Sequence, residues 1–453
     1  MKTVAILSQG CAANFGDGEQ IARLLKMSGA NVVFDIDSNS AKARATGKAL
    51  TNGTSTNKVP DAFCLNVCTV KGDATALALL RKTMADHPSA PVLVTGCVPP
   101  NLQRQLAEEF PGVTVSKLEF LRQNPAQLKN WIEAGTFSST IVLDTGNFKI
   151  RDFAEGTTRA TSHVGILNIS DGCLDACTFC STHLVKGRHR SASPKAIVEE
   201  AQKYIDDGCK ELWLSGQDTS CYGFDIGTNL AELAQQILAH VKGDYKIRLG
   251  MGNPRHLATY LDAMLETFQD DHIYKFIHLP VQSGSDKVLK LMGRKHDAAT
   301  YRMLAEAFLT RFDYFTLSTD LIVGFPGETN EDFRDTLKIL EETRPTVCNI
   351  TRFVPRPGTL AAKLPEAVPG DEQHRRSAEL AARFQEIALQ NNSKRIGEQE
   401  RILIDKPGKR AGTTIARNMA YRPVALQGEF APGTWQNARI TSAETFALIG
   451  EIV

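Results

Sequence analysis

The chain has 453 residues, of which 42% are hydrophobic and 23% charged, and a formal net charge of +1. These are the proportions of an ordinary soluble globular protein, with room for two or three domains of roughly 100–200 residues. They exclude nucleic-acid binding through bulk charge alone but leave room for a local basic patch.

The opening stretch MKTVAILSQG turns polar too soon for a secretion signal. No apolar run approaches the ~20 residues of a membrane span. A cytoplasmic location is therefore expected, with no membrane association. Ten cysteines in such a chain point to metal binding or catalysis rather than to disulfides.

Residues 1–135 alternate short apolar strands with helical patterns. VAILS, VVF, AFCLN and VLVTG read as buried strands, and EQIARLLKMSG and TALALLRKTMADH as helices between them. That alternation predicts a parallel sheet with helices on its faces. Residues 37–59, rich in Ser, Thr, Asn, Ala and Gly, break the pattern and read as a surface insertion. Residues 136–160 read as a linker with one or two short strands. Across 161–395 a second alternation runs through GILNIS, ELWLSG, KIRLGM, KFIHLP, FTLSTDLIVGF and NITRFV. Six such units predict a partial α/β barrel, closed off by a long helix over 371–396. Residues 396–453 change to short strands with Gly/Pro turns, the pattern of a small antiparallel β-barrel.

The cysteines carry the chemistry. Cys173, Cys177 and Cys180 lie in GCLDACTFC, directly after the strand GILNIS. That places them on a loop at the C-terminal end of a barrel strand, where α/β barrels keep their active sites. Thiolates ligate iron–sulfur clusters, and three thiolates on a four-iron cluster leave one iron open. A structural zinc site and inert core thiols are the competing readings. Structural zinc sites are normally closed by four ligands, often in CxxC pairs, whereas this run supplies three.

A second trio is dispersed. Cys11 follows VAILSQG, Cys68 follows AFCLNV, and Cys97 follows VLVTG. Each stands at the C-terminal end of a strand of one sheet, where ligands collect in open α/β sheets. The three can meet at one point as a second cluster, or they are three buried thiols at strand ends. Cys64, Cys209 and Cys348 read as small buried hydrophobes. Cys221 sits on a loop near the presumed cofactor pocket.

In order along the chain, QGCAANFGDGE, LNVCTV, TGCVPP, GCLDACTFC, LPVQSGSDKVLKLMGRKH, DLIVGFPGET and RFVPRPGT resemble the methylthiotransferase family of radical S-adenosylmethionine enzymes. The resemblance spans nearly the whole chain and includes a C-terminal TRAM-type RNA-binding barrel. NVCTVKGDA, ELWLSGQDTSCYGFDIGTNL and RLGMGNP are similar to the archaeal and eukaryotic type that acts on threonylcarbamoyladenosine in tRNA. Cys11 and Cys68 lie farther apart than is usual in the family, by about the length of the insertion. Lengthening a surface loop costs little free energy, so the trio is taken as intact.

The resemblance implies two 4Fe-4S clusters and S-adenosylmethionine. Cys173, Cys177 and Cys180 would hold the cluster that splits the sulfonium. The radical would abstract hydrogen from carbon 2 of the modified adenine beside the anticodon. Cys11, Cys68 and Cys97 would hold the cluster that delivers sulfur, and a second S-adenosylmethionine would supply the methyl group. Phe179 would pack near the adenine of the cofactor, or plug the space beneath the loop. Ser215, Gly216, Gln217, Asn253 and Gln282, at successive strand ends, are candidate cofactor contacts; capping the following helices is their alternative role.

The partners implied are tRNA, an electron donor and a sulfur source, with a monomeric enzyme expected. Two basic stretches are candidate RNA contacts. One is the run from His183 to Arg190; the other is Lys406, Lys409, Arg410, Arg417 and Arg422, with Tyr421 as a stacking residue. Competing functions are a methylthiotransferase acting on isopentenyladenosine or a ribosomal protein, and a non-catalytic iron–sulfur RNA-binding protein.

Overall fold

The computed structural model describes residues 1–35, 50–51, 54–55, 59–68, 72–137 and 159–453. Most of the 37–59 insertion and of the 136–160 linker lies outside the described residues.

The first sheet is parallel throughout. It contains β1 (Thr3–Ser8), β2 (Asn31–Asp35), β5 (Ala62–Val67), β6 (Val92–Gly96) and β7 (Thr114–Val115), in the order β2-β1-β5-β6-β7. A two-residue pair, β3 (Leu50–Thr51) and β4 (Thr54–Ser55), stands apart. Every residue of β1 and β5 is buried, because helices cover both faces of the sheet. One face packs on α1 (Ala12–Met27) and the helices Leu118–Gln123 and Pro125–Ala134, with Trp131 fully buried. The other packs on the helices Asp73–Asp86 and Pro100–Glu109.

The second region is a six-stranded partial barrel, as the alternation predicts. β8 (Val164–Asn168), β11 (Glu211–Ser215) and β12 (Lys246–Leu249) pair in parallel, as do β13 (Phe276–His278), β14 (Thr316–Val323) and β15 (Val347–Arg352). The bridges Ile247–Ile273 and Met251–His278 join the two halves. A short antiparallel pair, β9 (Ser170–Asp171) and β10 (Arg190–Ser191), brackets the loop that carries Cys173, Cys177 and Cys180. The long helix Gly370–Ser393 packs along β15.

The last region is a closed barrel of β16 (Gln399–Pro407), β17 (Thr413–Asn418), β18 (Pro423–Gln427), β19 (Trp435–Ala443) and β20 (Leu448–Ile452). Its strands are antiparallel except for β18 and β20, which pair in parallel. This barrel seats on the end of the partial barrel where the strands begin. Lys275, just before β13, donates its N–H to Met419 O at 2.9 Å. Arg401 pairs with Asp244, just before β12, at 2.7 Å. Asn418 bonds Tyr314, just before β14, at 2.6 Å. The thiols of the central loop are at the opposite end.

That docking corrects part of the predicted RNA surface. Tyr421 packs against Tyr274, Phe276, Arg248 and Arg417 and is no free stacking platform. Arg422 is 1% exposed and donates to Thr346 O, while Arg417 pairs with Asp405. Lys406, Lys409 and Arg410 remain exposed. Among the described residues, no helix is long and apolar enough to cross a membrane.

Candidate active site

The central loop is fastened at each turn. Gly172 adopts φ +80°, and a Cβ there would stand 2.2 Å from Arg188 O, so only glycine fits. Its N–H donates to Gln217 Oε1 at 2.7 Å. Thr178 donates its N–H to Met292 O at 2.9 Å and its hydroxyl to Leu291 O at 2.8 Å. Between Cys173 and Cys177 lies Asp175, which is 2% exposed. Its carboxylate accepts from Asn253 Nδ2 and from Arg255 Nη1, the latter at 2.6 Å. One buried carboxylate thus ties the loop to the segment that follows β12.

The electrostatics of Cys173 and Cys177 fit a metal cluster. Burial, with Asp218 nearby, pushes the Cys173 thiol up to about 12. Burial also raises Cys177, and the Arg294 guanidinium, 3.5 Å from its sulfur, pulls it back. Such thiols keep their protons at neutral pH unless a cation replaces them, and the irons of a cluster do that. Phe179 is half-buried and meets Phe325 edge-on at 6.4 Å between ring centres, the packing of a plug beneath the loop.

The remaining candidate residues occupy the strand ends, with defined roles. Ser215 is buried at the end of β11. A Cβ on Gly216 would stand 2.7 Å from Ser170 Oγ. Gln217 props the loop, as described. Asn253 caps the helix that follows it, accepting from Arg255 N at 3.2 Å, and receives Arg294 Nη2 at 3.2 Å. Gln282 holds φ at +79°, fixed by bonds from its N–H to Asp320 O and from Ile322 N–H to its carbonyl, both 2.9 Å.

The dispersed trio comes together. β1, β5 and β6 are adjacent, and Cys11, Cys68 and Cys97 stand just beyond their C-terminal ends. Cys97 N–H donates to Val67 O at 2.8 Å, which sets Cys97 beside Cys68. A Cβ on Gly10 would fall 2.5 Å from Cys68 Sγ. A hydrogen bond with Cys68, followed by burial, raises the Cys11 thiol far above its ordinary value. Burial takes Cys97 to about 12. Beneath them Asn66 Nδ2 donates to Ser8 Oγ at 3.0 Å and to Asn14 O at 2.6 Å. Asn14 Nδ2 returns bonds to Asn66 Oδ1 and Val67 O, at 3.0 and 2.8 Å. This donor set also fits a cluster.

Of the other cysteines, Cys64 and Cys209 are fully buried and Cys348 half-buried. Cys221 is also buried, with its sulfur 3.3 Å from His189 Nδ1 and from Asp218 O. The basic run after the loop divides: His189 is buried, Lys186 pairs with carboxylates, and Arg188 is exposed. Sequence reasoning missed Asp175, Arg294 and Asn66, and took Lys186 as part of an RNA-contacting run where the structure buries it against Asp17 and Asp171. An Asp between two cluster cysteines was the one local signal available.

A thiol trio on a loop after the first strand of a partial barrel defines the class. Residues 167–340 match the model of the radical SAM superfamily. The fold resembles that of the radical S-adenosylmethionine methyltransferase TsrM from Kitasatospora setae, with cobalamin and a [4Fe-4S] cluster bound. The TM-score is 0.52 at 13% identity, over 80% of this chain and 77% of that one. The protein is a radical SAM enzyme.

A probable threonylcarbamoyladenosine tRNA methylthiotransferase of Pyrococcus horikoshii is 34% identical over the full length of both chains. The human threonylcarbamoyladenosine tRNA methylthiotransferase is 30% identical over 94% of this chain and 69% of its own. The chain belongs to the threonylcarbamoyladenosine tRNA methylthiotransferase family.

Proposed function

We propose that the protein converts threonylcarbamoyladenosine beside the tRNA anticodon to its 2-methylthio derivative. Cys173, Cys177 and Cys180 hold the cluster that works on S-adenosylmethionine, and Cys11, Cys68 and Cys97 hold a second 4Fe-4S cluster. Residues 1–135, 161–395 and 396–453 act as cluster domain, radical domain and RNA-binding barrel, joined by 136–160. The observation that supports this reading is the presence of two separate, complete cysteine trios just beyond the C-terminal ends of strands in one chain.

When bound, the clusters and S-adenosylmethionine supply the radical and sulfur chemistry that an unactivated adenine C–H requires. The chain's own residues do the rest. Gln217, Asp175, Asn253 and Arg255 hold the loop that carries the three thiols. Arg294 offsets negative charge at Cys177. Phe179, Phe325 and Phe353 form an apolar floor that keeps water from below the loop. Ser215, Gly216 and Gln282 line the strand ends where S-adenosylmethionine is held. Exposed Lys406, Lys409 and Arg410 on the terminal barrel, and Arg188 near the reaction site, meet phosphates of the tRNA. The enzyme works as a cytoplasmic monomer fed by an electron donor and a sulfur source.

The test is anaerobic reconstitution followed by mass spectrometry of tRNA nucleosides. The 2-methylthio nucleoside and 5′-deoxyadenosine should both appear. Fully loaded protein that yields neither sinks the reading.

A further inference from the structure

The seam between the first sheet and the partial barrel carries a buried ion pair. Lys186 ends α2 (Thr182–Lys186), the short helix that leaves Cys180. Its Nζ lies 2.7 Å from Asp17 Oδ2 and 3.8 Å from Asp171 Oδ1. The Lys186 side chain is 7% exposed and that of Asp17 1%. Asp17 belongs to α1, whose first turn begins at Cys11; Asp171 precedes the loop of the central trio. One buried ammonium therefore touches the elements that lead into both trios.

The same seam is fixed by polar bonds and shape. Asn168, the last residue of β8, donates through Nδ2 to Ala13 O at 3.0 Å and to Asp17 Oδ1 at 3.3 Å. Gly16 lets it approach, since a Cβ there would stand 2.7 Å from Asn168 Oδ1. A buried ion pair is poor value as a source of stability, because apolar residues of like volume serve as well or better. Its use is to fix register and to place charge.

We propose that Lys186 is a positioning residue that couples the two cluster sites. Anchored in the radical domain, its ammonium locks α1 and Cys11 in place and serves as the cation of the N-terminal cluster's surroundings. This rests on the reading that Cys11, Cys68 and Cys97 hold a cluster. Coulomb interactions at a buried site are weakly screened, so charge changes at Lys186 and Asp17 register at the cluster with opposite signs.

The test is an EPR-monitored redox titration of the full chain carrying C173A, C177A and C180A, which leaves the N-terminal cluster alone. Adding Lys186→Met should lower the midpoint potential, because a lost cation favours the oxidised cluster. Adding Asp17→Asn should raise it, and Lys186→Arg should leave it near the parent value. In the chain with all six ligands, Lys186→Met should keep 5′-deoxyadenosine formation within about twofold of the parent while methylthiolated product falls at least tenfold. Lys186→Arg should restore product. If Lys186→Met does not fold, Asp17→Asn and Lys186→Arg carry the comparison. Unchanged potentials, or shifts in one common direction, overturn the inference alone. Absence of any cluster signal in the triple-alanine chain overturns it together with the reading beneath it.

Discussion

The two cysteine trios reach similar ends by opposite routes. Cys173, Cys177 and Cys180 lie within eight residues on one loop, and bonds to Gln217, Asn253 and Met292 hold that loop. Cys11, Cys68 and Cys97 meet only because β1, β5 and β6 are neighbours in one parallel sheet. The first site is a property of a loop, and the second is a property of a topology. Insertions between strands are thus tolerated in the second, because the strand ends, not the connections, set the geometry.

Loss of ligands gives the largest effects. The chain with both clusters should hold about eight irons. Replacing Cys11, Cys68 and Cys97 together by alanine should remove half, and replacing Cys173, Cys177 and Cys180 the other half, by iron assay after reconstitution. Removal of all iron by either triple change would show that the sites are not independent.

Arg294 sharpens the contrast from the side of the loop. Its guanidinium contacts Cys177 Sγ and Asn253 Oδ1. Arg294→Met should slow 5′-deoxyadenosine formation by about 10–100-fold, with no effect on N-terminal cluster content. Asn66 does so from the side of the sheet. It is 1% exposed and bonds Ser8 and Asn14. Asn66→Ala should cost about 1–3 kcal/mol in chemical denaturation and loosen the N-terminal cluster before the central one.

The smallest effect lies outside both trios, at the terminal barrel. Burial raises the Glu400 carboxyl to about 7, against the pull of Arg395 and Asn418. The folded chain therefore binds this proton more tightly than the unfolded chain. Its contribution to stability is full below about pH 4.5 and is lost as pH rises through about 7. Glu400→Gln should flatten the fall in melting temperature over that window, while cluster content stays unchanged.

Much of this was legible in the sequence, for physical reasons. Strand–helix alternation with buried apolar runs encodes a parallel sheet, so the six-stranded partial barrel and the convergence of Cys11, Cys68 and Cys97 could be inferred. The terminal barrel was legible as five strands, but not the parallel pairing of β18 with β20. Tyr421 and Arg422 looked like RNA contacts because a sequence shows residue type without facing; docking on the partial barrel turns both inward. Asp175 and Arg294 stayed hidden, and Lys186 looked like an RNA contact, because their partners are remote in sequence. The 2.7 Å pair of Lys186 with Asp17 spans 169 residues.

The central claim is a division of labour between the trios. It is tested most directly by assaying Cys177→Ala and Cys68→Ala side by side after reconstitution, scoring 5′-deoxyadenosine and 2-methylthio nucleoside together. Cys177→Ala should abolish both products. Cys68→Ala should keep 5′-deoxyadenosine and lose the thiolated nucleoside. Thiolated nucleoside from Cys68→Ala, or loss of 5′-deoxyadenosine with the central cluster intact, would contradict the account.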